Sequence, residues 1–241
     1  MSITTVRLKR FTAHLRELKV GECMTLAKMA PERDHVSTST LLKYIVDDAS
    51  GLVTDPLEWT VEERLMVKAM YMSGTLEDGP DFSVGDDAKF TDYAMGDKDY
   101  IADSVDVDGF SVINMTGRLA ESIERLEGEI EVSEYGHWLM GSIAARLHSG
   151  VVNIPDNDSD LDAWAFERIK ELLSLDQSEF SKRCMILATG NEKTNHLFNL
   201  TIAQAGGYAV APREGESELP LARFPVDAVI QGVTKAMGGK S

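Results

Sequence analysis

Apolar residues of this chain recur first with a period near two and then, for most of its length, with a helical period. Across 3–18, Val6, Leu8 and Phe11 alternate imperfectly with basic positions, which predicts one or two short half-buried strands. Val20-Gly21-Glu22 then turns the chain into a helix over 23–29, closed by Pro31. A second helix is predicted over 39–48. A third follows Pro56, with Thr60 and Glu63 in capping-box spacing and Val61, Leu65, Ala69 and Met72 along one stripe that Met66, Met70 and Tyr71 widen. Between 74 and 108 periodicity gives way to Gly, Asp and isolated aromatics (Phe82, Phe90, Tyr93, Tyr100), the pattern of a long acidic loop or small excursion whose rings pack in part.

Helical spacing returns afterwards. Met115, Leu119, Ile123, Leu126 and Ile130 trace one face, with Glu121 and Arg125 on the other side and Gly128 near the end. Further helices are predicted over 135–148, over 160–172 with Asp160 as N-cap, and over 178–187 with Ser178 as N-cap. Near the C-terminus, 196–202 and 208–211 flank Ala205-Gly206-Gly207 as a hairpin, and 224–237 forms a last helix. The expected fold is mainly α, of α+β type: a helical body with short β-strands at the N-terminus and a small β-hairpin near the C-terminus. The pattern divides the chain into a strand-plus-helix region (1–75), an acidic excursion (76–110) and a helical region (111–241).

Composition narrows the function classes. With 43% hydrophobic residues in 241, a sizeable core is affordable. No apolar run reaches the ~20 residues of a spanning helix and the N-terminus lacks a signal-peptide pattern, so a soluble cytoplasmic product is expected. The formal charge of −16 opposes binding to nucleic acid or anionic membrane. It is unevenly placed: residues 77–108 hold 11 acids against Lys89 and Lys98, while residues 1–33 hold seven basic residues against three acidic. Such polarity suits docking between charged surfaces, or a solvated acidic face.

Signatures for nucleotide loops, zinc proteases and serine hydrolases are absent. Cys23 and Cys184 are far apart and fit buried reduced thiols, Cys184 in line with Phe180 and Leu187. Asp156, Asp158, Asp160, Asp162 and Glu167 have the spacing of a calcium loop, but Leu161 stands where the sharp turn wants Gly, and a capped helix explains the same acids. Two Glu-x-x-His pairs, Glu32/His35 and Glu134/His137, have the spacing of carboxylate-bridged di-iron bundles, the alternative enzyme reading, although neither lies in mid-helix. His14, His148 and His196 fit surface or hydrogen-bonded structural positions.

The segment Arg7-Leu8-Lys9, followed by His14-Leu15-Arg16-Glu17-Leu18-Lys19-Val20-Gly21-Glu22, resembles the start of tailed-phage tail-assembly chaperones and baseplate hub assembly proteins. These open with a basic strand, an Ile/Leu-Arg-Glu-Leu strand and a helix near Gly-Glu. The match covers about 25 residues. Several hub relatives carry a Cys-x-x-Cys ribbon in mid-chain where this sequence has its acidic segment, so no metal role carries over. The resemblance implies a non-enzymatic structural or assembly component of a phage tail or baseplate, in the host cytoplasm during assembly or retained in the virion, with other tail and baseplate proteins as partners in a hetero-oligomer. The residues expected to meet them are Val6, Arg7, Leu8, Lys9, Arg10 and Arg16, with the methionine face of Met66 and Met70; strand addition along 6–8 is the expected mode.

Overall fold

Val6, Phe11, Ala13 and Leu15 all turn inward, and the strands that carry them open the fold. The computed structural model describes residues 5–75, 79–84, 88–96, 102–151, 153–213 and 218–230. Strands β1 (Thr5–Arg7) and β2 (Phe11–Leu15) pair antiparallel, and β3 (Val46–Gly51) pairs antiparallel with the other edge of β2. Phe11 lies flat on Trp59 with centroids 3.9 Å apart. Opposite Phe11 sits Gly51 at φ 130°, where an added Cβ would come within 2.6 Å of the Arg10 carbonyl oxygen; the approach of the two backbones requires glycine.

Helix α1 runs Val20–Leu26, three residues earlier than the predicted 23–29, because the Glu22 carboxylate accepts the Lys19 N–H at 2.8 Å and draws the expected turn into the helix. The second helix also differs. It runs Asp34–Ile45 (α2), five residues earlier than the apolar spacing suggests, and the chain leaves it at Val46 to form β3. The stretch Val46-Asp47-Asp48-Ala49-Ser50-Gly51 is poor in helix formers, and pairing with β2 supplies its backbone with partners.

Helix α3 (Val61–Thr75) carries the predicted capping box: Glu63 accepts the Thr60 N–H at 2.8 Å and Thr60 Oγ1 accepts the Glu63 N–H at 3.2 Å. It is buried nearly all round, charged positions included. The described parts of the 76–110 segment do not project as an excursion. Two 3-10 turns (Gly79–Asp81, Phe90–Asp92) carry Phe82, Phe90 and Tyr93 into a core shared with α3, Phe198 and Phe224, and the Tyr93 hydroxyl donates to the Pro220 carbonyl. Six-ångström edge and stacked contacts among Phe82, Phe90, Phe198 and Phe224 explain why the acidic stretch keeps its aromatics. Tyr100 lies outside the described residues.

β4 (Ser104–Val107) and β5 (Phe110–Ile113) then form a hairpin through Asp108 and Gly109, both at positive φ, the conformation that favours this dipeptide in a tight turn. Next come α4 (Gly117–Arg125), α5 (Glu134–Arg146), the short third strand β6 (Leu147–His148), α6 (Asp158–Leu173) and α7 (Gln177–Thr194). The cap of α6 is Asn157, whose side chain accepts the Asp160 N–H, rather than Asp160 itself. Asp176, not Ser178, precedes α7, which continues a further seven residues past Leu187. Phe180, Cys184 and Leu187 share the core of α5, α6 and α7 as their spacing predicts. The C-terminal hairpin is β7 (Asn199–Ile202) with β8 (Tyr208–Ala211). Residues 226–230 are helical, so the last helix starts two residues later than its predicted 224, and 231–237 lie outside the described residues. The fold is a mixed α/β one, and its strands occur in mid-chain as well as near both ends.

Candidate functional site

The basic opening is divided between core, ion pairs and surface. Val6 is buried and Leu8 half-buried against the core, so neither presents its side chain to a partner; a β-strand sends alternate residues to opposite faces and Val6 falls on the inner one. Arg7 and Lys9 are exposed. Arg10 donates to the buried Glu63 carboxylate at 3.1 Å. Arg16 forks onto both oxygens of Glu22 at 2.7 and 3.0 Å, and that guanidinium, with the Lys19 N–H, holds the Glu22 carboxyl down at about 2. Met66 and Met70 are half-buried against the cores around α3, so the methionine face is packing rather than an open surface.

The two Glu-x-x-His motifs meet only in part. Glu32, His35 and Glu134 line one cleft of about 210 Å³, together with Asp34, Glu124 and Glu127. His137 does not join them: its Nε2 lies 2.7 Å from the Ile123 carbonyl oxygen inside the core. The wall of the cleft is aromatic, with the His35 ring 5.3 Å from Trp138 and 5.9 Å from Tyr208. Burial pushes the His35 imidazole down to about 3, so it is neutral at physiological pH. Glu124 accepts the N–H groups of His35 and Val36 at 2.9 and 3.0 Å, doing from another helix what an N-cap does for the first turn of α2. Burial raises its carboxyl to about 7 although those N–H groups favour the charged form. Arg223 stands on the rim and donates to the Gly206 carbonyl. Among the described residues, no group of three or more His, Cys, Asp or Glu side chains is arranged to hold a metal ion.

Beneath the cleft runs a network of buried charge. Arg64, wholly buried, donates to the His35 carbonyl at 3.1 Å and to Ser39 Oγ, and lies 3.5 Å from Glu121. Ser39 in turn donates to Glu121. Arg125 grips Asp162 through two 2.8 Å bonds and lies 3.6 Å from Glu121. Lys68, also wholly buried, donates to Thr38 and faces Asp34 at 3.6 Å. On the other side of α3, Glu62 accepts N–H groups from His196, Leu197 and Phe198 with one oxygen and meets His196 Nδ1 at 2.7 Å with the other. Burial lowers the His196 imidazole, but Glu62 more than offsets this and holds it above its usual value. Nearby Arg146 donates to the Ile113 carbonyl and Thr194, and Tyr208 shares a 2.7 Å hydrogen bond with Ser142, around a small cavity of about 30 Å³, room for one water.

These groups tie α2, α3, α4, α6 and the β7 entry together. Ser142 is paired with a tyrosine and not a base, and burial raises the thiols of Cys23 and Cys184, so none of these three has the surroundings of an activated nucleophile. The Asp156–Glu167 run is helical from Asp158 onward, with Asp162 held by Arg125, Asp160 by Asn157 and Glu167 by Lys170; a calcium loop needs those oxygens around one point, and a helix separates them. His148 is buried and stacks on Trp164, and His14 meets Thr5 Oγ1 at 3.1 Å. Sequence reasoning missed Glu62, Arg64 and Lys68. Only Glu63 carried a local signal, its capping-box spacing. No family model matches this chain, and neither a curated protein nor a solved structure matches it.

Proposed function

We propose that this chain is a non-enzymatic structural or assembly component of a bacteriophage tail or baseplate, acting in the host cytoplasm or within the particle by docking onto other tail proteins. The observation that carries the reading is the placement of β1. Val6 anchors it in the core, Arg7 points out, and β2 pairs with only one of its edges, so the basic opening that resembles the phage assembly proteins is a fixed edge strand. Strand addition supplies main-chain hydrogen bonds, and the exposed cation supplies charge selection against an acidic partner. The buried charges of Glu62, Arg64, Lys68 and Glu124 support the same reading, because each holds a backbone segment or an opposite charge.

The test is co-expression with the tail and baseplate proteins encoded beside it. The wild-type chain co-purifies with at least one of them, and Arg7→Glu weakens capture about tenfold while leaving the circular dichroism spectrum unchanged. Absence of any such capture, or iron-dependent turnover by the purified chain, overturns the proposal. Removal of residues 1–18 is unsuitable as a test, since Val6, Phe11, Ala13 and Leu15 belong to the core.

A further inference from the structure

Among the described residues, the first sheet has two edges with no strand beside them, and they differ in charge. Because Val6 points inward, Thr5 and Arg7 lie on the solvent face of β1. Register carries that face across the sheet: Thr5 opposes His14, which opposes Asp48, and Arg7 opposes Thr12, which opposes Ser50. Arg7 and Asp48 therefore share one face at opposite edges, with Asp47 beside Asp48 where the register shifts at a bulge; all three are exposed. The strand order β1-β2-β3 leaves the outer edges of β1 and β3 without a strand partner among the described residues. Both strands run antiparallel to β2, hence in the same direction as each other.

We infer that the β1 edge of one copy of this chain adds to the β3 edge of the next, forming a continuous sheet through a head-to-tail contact. This rests on the docking role of β1 and names its partner as a second copy. Two-fold pairings are disfavoured at both edges. A β1–β1 contact gathers two copies of Arg7 into one short pairing and a β3–β3 contact gathers two copies of Asp47 and Asp48, so either joins edges of like charge, which repel. A β1–β3 contact brings Arg7 toward Asp48 on the same face, in parallel orientation, and repeats either as a closed ring or as a filament. Arg16 is committed to Glu22, so Asp47 and Asp48 together supply the negative charge of that edge. A three-residue parallel pair makes few hydrogen bonds, so association is concentration-dependent and screened by salt.

Sedimentation velocity of the purified full chain, alone, from micromolar to several hundred micromolar and at low and high salt, tests this. Average mass rises with concentration at low salt and falls back at high salt. Arg7→Glu and Asp48→Arg each weaken association about tenfold, and a variant combining Arg7→Glu with Asp47→Arg and Asp48→Arg recovers it. Circular dichroism and melting curves matching the wild type show that each variant is folded. A single-chain mass under all conditions, a dimer that grows no further, or association indifferent to these reversals overturns the inference. A chain that is monomeric alone yet captured by a tail protein through Arg7 overturns this inference and leaves the docking role standing.

Discussion

Glu62, in the first turn of α3, holds His196 twice: one oxygen accepts its backbone N–H at 3.0 Å, and the other meets its Nδ1 at 2.7 Å. The same first oxygen takes the N–H groups of Leu197 and Phe198, so one buried carboxylate fixes the path from α7 into β7. Glu62→Ala strands those donors and costs about 3–5 kcal/mol, read as a lowered midpoint in urea with an unchanged slope. His196 is held above its ordinary value, so its contribution is complete below the unfolded value of 6.5 and is lost as pH rises through the folded one. His196→Gln therefore lowers stability more below that window than above it.

His35 and Glu124 make the cleft respond to pH in opposite senses. His35 falls to about 3, so its contribution is present above 6.5 and is lost as pH drops toward 3. Glu124 rises to about 7, so its contribution is present below 4.5 and is lost as pH climbs through 7. His35→Phe, which keeps a ring between Trp138 and Tyr208, shifts acid unfolding to lower pH; Glu124→Gln flattens the decline between 4.5 and 7. Urea titrations across pH 3–8 give both slopes.

An added Cβ on Gly117 would clash with the guanidinium of Arg64, which is itself buried. Gly117→Ala destabilises by about 1–3 kcal/mol through overpacking. Arg64→Ala costs about 3–5 kcal/mol, because Glu121 loses a buried partner. In the double variant the clash is gone, so the two costs fall short of additive by about 1–2 kcal/mol in a double-mutant cycle.

Adjacent residues of β1 separate folding from docking. Val6→Asp buries a carboxylate with no counterion and unfolds the N-terminal sheet, visible as a melting temperature lowered by more than about 10 °C. Arg7→Glu changes stability by no more than about 0.5 kcal/mol, as an exposed site does. Thermal melts of the two variants side by side distinguish them.

Several elements were legible in local pattern. The Thr60/Glu63 box, the Phe180–Cys184–Leu187 stripe and the hairpin around Gly206-Gly207 need only residues a few positions apart, and each formed where its spacing placed it. Boundaries were less legible: α2 ends at Ile45 because β2 offers Val46–Gly51 a partner from thirty residues away. The basic opening was visible as a strand, but not that Arg10 and Arg16 are consumed by Glu63 and Glu22.

What the sequence by itself determined is the succession of helices, the Thr60/Glu63 capping box, the turn at Gly206-Gly207, and the charge asymmetry between the opening and the acidic stretch, because these depend on neighbours along the chain. Tertiary structure alone decided that Glu62, Arg64 and Lys68 lie inside, that Phe82, Phe90 and Tyr93 share one core with Phe198 and Phe224, and that Glu32, His35 and Glu134 meet at one cleft. Those outcomes hang on pairing charges that have been taken out of water, and the partners that make such burial tolerable, Glu121 for Arg64 and Asp34 for Lys68, are tens of residues away in sequence.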